Sequence, residues 1–471
     1  MGQPAGSWSM VMKANPQYDT SGLLWEGVVF DDQMISDGDW VDIAVLRNGI
    51  RIPICRGIID SVRKKTVSVR GATAATYMIT GRDHGAFFEY PLTWNNIFAR
   101  TISEGVSGFA TNKLKIVGGR PDQLFSALIA GWFKGNTNAG QWILPQALSD
   151  LTGLVDKKLF DLLEVVTFNF AKGQQGLRGL RINEQLWTVG EQSLFQTLAQ
   201  WTNPILNEVW FDLLPPGEFL PPHGLAGFLS NKFFDRGKLP TIAEVLGESE
   251  AQTISSQNKK FGAIAAIIRE RPFPNRELKK ESMWFHLPTW VIPTWLLTEV
   301  DLGRGGAQRY NLFDMITDFG LGPQGEQQAL AKPQWRKDDI SKRGLRTYQP
   351  TTPFLGPDKK GFGEWFDERE KWLNLLVDWF APNPYLLQGT VTVKTPLPEI
   401  RIGHRVILDN GDPKQQIQAY VEGVSIAFSA PTTGSGAAGQ TQLILTRGFR
   451  GSDDELMNKT SALGKLHQEV L

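Results

Sequence analysis

The chain has 471 residues, enough for roughly three domains at about 150 residues each, and its lysines plus arginines equal its aspartates plus glutamates at 49. That balance excludes the basic footprint of a protein that grips nucleic acid, so no sequence-specific nucleic-acid partner is expected. The single cysteine, Cys55, excludes an intramolecular disulfide, and in the alternating run Ile52-Pro53-Ile54-Cys55-Arg56 it reads as a small packed thiol.

Residues Met1 to Ser7 show no basic segment followed by an apolar one, so no secretory signal is expected and the chain is read as maturing in a cytoplasm. From Ser7 to about Tyr90 the signals are strands and turns. Trp8, Met10 and Met12 alternate with Ser9 and Val11, Gly38-Asp39 turns into Trp40 to Leu46, and Asn48-Gly49 turns into Ile50 to Val62. Arg63-Lys64-Lys65 and Gly71-Ala72 read as a loop before a strand that ends at Thr80. From Gly118 the pattern is helical, with Leu124, Phe125, Leu128, Ile129 and Trp132 on one face. A second helix is marked by the capping box Thr188 to Glu191, the stripe Leu194, Phe195, Leu198 and Trp201, and the stop Asn203-Pro204.

Two further strands are expected at Leu206 to Leu213 and Phe261 to Arg269, separated by the Pro/Gly-rich excursion Pro215 to Pro240. In Arg276 to Pro350, Leu287-Pro288 and Ile292-Pro293 are expected to break any regular element. Phe362, Trp365, Phe366, Trp372, Leu373, Leu376 and Phe380 form an amphipathic helical stripe, closed by Pro382-Asn383-Pro384. The chain ends in a capping box, Ser452 to Glu455, and a short helix. The longest apolar runs, Leu124 to Phe133 and Phe261 to Ile268, fall short of the roughly 18 residues a membrane span needs, so no stable membrane insertion is expected.

One strand pattern occurs twice. Gly38 to Ile43, Arg56 to Val62 and Ala75 to Arg82 are answered by Gly403 to Leu408, Val421 to Ile426 and Thr441 to Arg447. Gly57 and Thr80 stand 23 residues apart, as do Gly423 and Thr446, which predicts one strand register in both copies. Two copies are too few for a solenoid and suit two small antiparallel barrels, with Leu206 to Leu213 and Phe261 to Ile268 completing the second.

The five histidines, His84, His223, His286, His404 and His467, are isolated in sequence, so no metal site is expected. Gly105-Val106-Ser107-Gly108 is one residue short of a nucleophile elbow, and Gly303-Arg304-Gly305-Gly306 has no phosphate-binding lysine and serine after it. Glu364, Asp367, Glu368, Glu370 and Asp378, among Trp365, Trp372 and Trp379, supply the residue types of a glycan hydrolase, but on one helix opposite an apolar stripe they read as a solvated face. Neither catalytic residues nor a cofactor are expected.

Pro398 to Val406, Ala419 to Ser429 and Thr441 to Gly448 resemble the closing segment of the tail and baseplate hub proteins of tailed phages. Gly38 to Val41, Arg56 to Ile59 and Ile79 to Asp83 look like the opening barrel of the same family, and Trp201 to Asp212 and Ile268 to Phe273 its central strands. The resemblance implies a structural virion protein of the tail baseplate, assembled in the host cytoplasm. It implies a homotrimer whose two barrels per chain make a pseudo-sixfold ring around the ejection channel. The implied partners are a tail tube protein or distal tail protein, a central spike protein and a tape measure protein. A tail-associated peptidoglycan or polysaccharide hydrolase is the alternative, and a carbohydrate-binding tail protein a further one.

The expected fold is α+β, mainly β: two antiparallel tube-type β-barrel domains with helical or mixed insertions. The boundaries are 1–115 for the first barrel, 116–202 for a helical or mixed domain, and 203–273 for strands of the second barrel with a loop insertion. A mixed insertion with the amphipathic helix occupies 274–384, the rest of the second barrel 385–450, and a helical tail 451–471. Arg82, Asp83, Arg405 and Arg447, charged and close to the repeated strands, are the candidate barrel-to-barrel contacts.

Overall fold

In the computed structural model of the chain the described residues are 5–14, 35–47, 50–69, 72–89, 163–167, 181–182, 207–214, 263–272, 287–305, 309–314, 316–317, 333–352, 354–355, 379–429 and 438–450, with 193, 195–196, 284, 373 and 376–377 besides. They are mainly β. The first four strands, β1 (Ser7–Ala14), β2 (Trp40–Arg47), β3 (Ile50–Val69) and β4 (Ala72–Asp83), form an antiparallel sheet in the order β1-β4-β3-β2. Along β1 the half-buried Trp8, Met10 and Met12 alternate with the exposed Ser9 and Val11, as the two-residue period requires. Arg47 stands opposite Ile50, so Asn48 and Gly49 alone connect β2 to β3.

The loop expected at Arg63-Lys64-Lys65 is strand instead. These residues pair with Met78, Tyr77 and Thr76, and β3 runs on to Val69, opposite Ala72. Long cationic side chains suit an exposed strand because their stems lie on neighbouring rings. Lys64 Nζ sits 5.5 Å from the Tyr77 ring centre.

Next come β5 (Leu163–Thr167), β6 (Arg181–Ile182), β7 (Asn207–Leu214) and β8 (Ala263–Glu270). β7 and β8 are the two central strands expected from the sequence, but they do not join the second repeated unit. They pair with each other and with β5 in a separate sheet, ordered β5-β8-β7. A reciprocal capping box forms at Ser193 and Gln196: the Gln196 N–H donates to Ser193 Oγ at 3.2 Å, and the Ser193 N–H to Gln196 Oε1 at 3.1 Å. Thr188 and Glu191, where the box was expected, lie outside the described residues, as do the helix expected from Gly118 and the C-terminal one.

β9 (Thr289–Pro293) and β10 (Leu297–Arg304) follow, separated by a single 3₁₀ turn. Prolines were expected to break this stretch, yet β9 forms there. Pro288 precedes the strand and Pro293 is its last residue, where a missing N–H costs the ladder least. The short strands β11 (Leu312–Phe313), β12 (Ile316–Thr317), β13 (Gln334–Trp335), β14 (Thr347–Tyr348), β15 (Thr351–Thr352) and β16 (Phe354–Leu355) form small two- and three-stranded sheets with the helix α1 (Lys337–Arg343). Leu373, Leu376, Val377, Trp379 and Phe380 are helical, and the first four are buried.

β17 (Leu387–Val393), β18 (Arg405–Asp409), β19 (Ile417–Ser429) and β20 (Ala438–Arg450) complete a six-stranded sheet ordered β10-β17-β20-β19-β18-β9. One apolar core lines it: Trp290, Ile292, Val391, Val393, Val406, Leu408, Ala419, Val421, Leu443 and Leu445 are all buried. Each large side chain there contributes about 1.5–3 kcal/mol by leaving water.

The duplication is real at the level of strand order. β1-β4-β3-β2 and β17-β20-β19-β18 are the same four-strand arrangement, and the second copy carries β10 and β9 on its two sides. The register is not shared, contrary to expectation. Gly57 stands opposite Asp83, but Gly423 stands opposite Ile444. A bulge skips Asp60 in the first copy and Glu422 in the second, so matching the bulges equates Ser61 with Gly423 and Thr80 with Ile444. The equal spacing of 23 residues arises by compensation. β3 and β4 are joined by residues 70–71 alone, while 430–437 join β19 and β20. Both copies are open sheets among the described residues.

Candidate functional site

The two repeated sheets meet at a junction built from β3, β7 and the turn before β18. Ile52, near the start of β3, is fully buried in the core of the six-stranded sheet. Beside it, Arg401 donates through Nη2 to the carbonyl of Pro53 in β3 and through Nη1 to Asp212 Oδ1 in β7 at 3.4 Å. One side chain thus ties three sheets together. Its own position is fixed by His404, whose Nδ1 accepts the Arg401 backbone N–H at 3.2 Å and the Trp290 indole N–H at 3.0 Å. That double acceptance requires the Nε2–H tautomer. From the other end of β7, Glu208 accepts the Tyr420 hydroxyl of β19 at 2.8 Å.

Around this contact lies a set of ionisable groups of the first sheet, of which Arg56 and His84 are buried. Arg56 pairs with Asp42 at 3.3 Å, and His84 is buried with its Nδ1 3.2 Å from the Arg56 carbonyl. Burial pushes the His84 pKa down, against the opposing pull of Asp83 and Asp212. Burial pushes Asp83 up, partly offset by His84 and by the backbone N–H groups of Gly85 and Gly6. The Cys55 thiol is pushed up to about 12, chiefly by burial, which favours its protonated form.

The four candidate contact residues fall in two kinds of place. Arg82 has its side chain at the surface but is engaged within its own sheet, donating to both Asp60 oxygens at 2.9 and 3.0 Å and to Glu89 at 2.5 Å. The Asp60 pair is the main reason that its pKa is raised. Asp83 follows it at the end of β4, accepting the Gly85 N–H at 2.9 Å. Arg405 is buried, with Nε on Thr289 Oγ1 at 3.0 Å and its guanidinium 5.8 Å from the Trp284 ring centre.

Arg447 adopts φ of 55°, a left-handed conformation rare outside glycine, and lays its guanidinium 3.2 Å from the Trp379 ring centre. It also donates to the Trp379 carbonyl at 2.5 Å and to Asn383 Oδ1 at 3.1 Å. Burial first, then the neighbouring Arg271, pushes its pKa down to about 9, which leaves it cationic at pH 7. The structure brings Arg82 and Asp83 side by side and places Arg405, buried, and Arg447, half-buried, on different partners in the second sheet.

Sequence reasoning did not single out Arg401 or Asp212, and it named Trp379 only among the aromatic residues of a glycan hydrolase, not as the platform for Arg447. Arg401 stood inside the block Pro398 to Val406, but its partners are remote in sequence and no local pattern names them. Chemically the junction is a clamp. Among the described residues there is no group of three or more histidine, cysteine, aspartate or glutamate side chains placed to hold a metal ion. No helix among the described residues is long and apolar enough to cross a membrane. The carboxylates at 364, 367, 368, 370 and 378, read as a solvated helix face, lie outside the described residues.

No family model matches the chain, and no curated protein does. Among solved structures, the chain is similar to the tail protein from Neisseria meningitidis MC58, with a TM-score of 0.44 and 11% identity over 94% of this chain and 88% of that one. At those values the likeness transfers neither fold nor function.

Proposed function

We propose that the chain is a structural component of a phage tail, a baseplate hub whose two repeated sheets act as two positions in a ring. Three copies then supply six similar positions around a channel, which matches a sixfold tail tube on one face and a threefold spike on the other. The observation that carries this reading is the repeated strand order, β1-β4-β3-β2 and β17-β20-β19-β18, in one chain. Each sheet grows into a tube-type barrel wall only in the assembled ring, so the open sheets of a single chain are what the reading requires.

Its partners are further copies of itself, a tail tube or distal tail protein, a central spike and a tape measure protein, and its place is the virion baseplate. The role is mechanical, and the clamp at Arg401 keeps the two positions of one chain at a fixed angle. Native mass measurement of the purified chain, alone and with its tube partner, tests the reading. It expects a species of three chain masses, and a chain that stays monomeric in both conditions contradicts it.

A further inference from the structure

Beside α1 the chain gathers positive charge that the ring reading does not use. Asn311, fully buried just before β11, fixes the frame. Its carbonyl accepts the Arg336 backbone N–H at 2.9 Å, and its Nδ2 donates to the Gly344 carbonyl at 2.8 Å. Arg336 and Gly344 are the residues that flank α1, so both ends of the helix are held by one asparagine. Its Oδ1 also accepts the Arg346 backbone N–H at 2.7 Å.

Asp339, on this helix, has a side chain only 3% exposed. Its Oδ1 accepts from Arg309 Nη1 at 3.1 Å and from Arg343 Nη1 at 2.5 Å, and its Oδ2 from Asn311 Nδ2 at 3.1 Å. Burial would raise its pKa, but the Asn311 and Arg343 hydrogen bonds and the charges of Arg309 and Arg336 outweigh it and hold the carboxyl below its usual range. One ionised carboxylate therefore stands among three guanidinium groups.

Arg309 and Arg343 are explained as staples on Asp339, and Arg336 is not. It is only 9% exposed, yet its side chain makes no hydrogen bond among the described residues, and its Nε–H is buried without an acceptor. Both Asp339 oxygens are already engaged by other donors. Burying a guanidinium is costly unless its N–H groups find acceptors. Here Asp339 balances part of the charge while the hydrogen bonds stay unmade, which is the condition of a group that takes its acceptor from outside the chain.

We propose that Arg336, together with Arg309 and Arg343, binds a phosphate dianion, either free or as a phosphate monoester. Three guanidinium groups against one carboxylate leave two positive charges over, which a dianion neutralises and a monocarboxylate does not. The flat fork of a guanidinium presents paired N–H groups to phosphate oxygens. Arg309 and Arg343 each give one nitrogen to Asp339 and keep the others. The exposed Lys337 and Lys342 add to the field that draws an anion in, and the exposed Asp338 offsets one of them. The site lies within a single chain, so it stands or falls apart from the ring reading.

The test is titration calorimetry of the full chain with inorganic phosphate, glycerol phosphate and acetate, at matched ionic strength and about pH 8, where a phosphate monoester is a dianion. At least one of the two phosphates is expected to bind once per chain, about tenfold or more tighter than acetate. Arg336→Gln is expected to weaken that binding by about tenfold or more, and Lys342→Gln by less than about threefold. Far-UV circular dichroism and the thermal midpoint establish that each variant is folded. If Arg336→Gln unfolds the chain, Arg336→Lys is used, which keeps the charge, loses the planar fork and must still weaken binding. Tighter binding of glycerol phosphate points to an ester as the ligand, and tighter binding of inorganic phosphate to the free ion. The site is overturned if neither phosphate binds, if acetate binds as well as they do, or if the two glutamine variants weaken binding equally, since the last would mean a diffuse field with no particular role for Arg336.

Discussion

The guanidinium of Arg401 donates to the carbonyl of Pro53, 348 residues away in sequence, and this hydrogen bond joins the two copies of the repeated sheet. Because Arg401 also reaches Asp212, its removal leaves a half-buried carboxylate and a backbone carbonyl without their cation. Hydrogen bonds to charged groups contribute about 1.5–3 kcal/mol each, so Arg401→Met is expected to destabilise the chain by about 2–4 kcal/mol. Urea unfolding measures this. A midpoint that does not move would show that the sheets are held together by apolar contact alone.

A second expectation concerns acid. His84 has a folded pKa below the ordinary 6.5, so below pH 6.5 the unfolded chain binds a proton that the folded chain refuses. Stability then falls as pH drops from about 7 towards the folded value, since it rises with pH wherever the unfolded state holds more protons. Asp83 works the other way, because its folded pKa is raised above 3.8 and the folded chain holds that proton more readily. His84→Gln is expected to flatten the fall in thermal midpoint, which in the natural chain should be about 2–4 °C per kcal/mol lost. Equal slopes in the two proteins would place the titrating group elsewhere.

The two glycines matched in the sequence are there for different reasons, and substitution should separate them. A Cβ on Gly57 would lie 2.1 Å from the Arg82 carbonyl oxygen and 2.8 Å from Asp83 Cα, both backbone atoms that cannot swing away. On Gly423 it would meet the Ile444 side chain, whose Cδ1 at 2.9 Å can move. Gly57→Ala is expected to cost about 2–3 kcal/mol and Gly423→Ala less than about 1 kcal/mol. Equal costs in denaturant titrations would mean that both strands are equally crowded.

Trp379 carries the guanidinium groups of Arg447 at 3.2 Å and of Arg271 at 5.6 Å from its ring centre. Trp379→Leu removes the aromatic face and leaves a cavity, at about 3–5 kcal/mol. Trp379→Phe keeps a face and should recover about 1–2 kcal/mol of that. If the two variants unfold at the same denaturant concentration, the stacking contributes nothing and packing volume explains the site.

What could be read from the sequence was local. Asn48-Gly49 between alternating runs gave the β2–β3 connection, and the alternation of Trp8, Met10 and Met12 gave β1. Arg63 to Lys65 escaped because a strand exposed on that stretch shows no apolar period. β9 escaped because one proline precedes it and another ends it, and only its parallel pairing with β18, more than 100 residues on, makes it a strand. The allotment of β7 and β8 to the second repeat failed for a similar reason: sequence order says which strands exist and not which sheet receives them. At the junction, Arg401 and Asp212 are 189 residues apart, and no spacing rule reaches that far. The duplication itself was legible through strand order, while the matched glycine-to-threonine interval misled on register.

Electron microscopy of the chain assembled on its tail tube tests the central claim most directly. The account predicts a closed ring of three chains with six similar sheet densities, alternating in detail between the β1–β4 and β17–β20 forms, around an open channel. A ring of six chains, or a chain seated on the tube as a monomer, would contradict it.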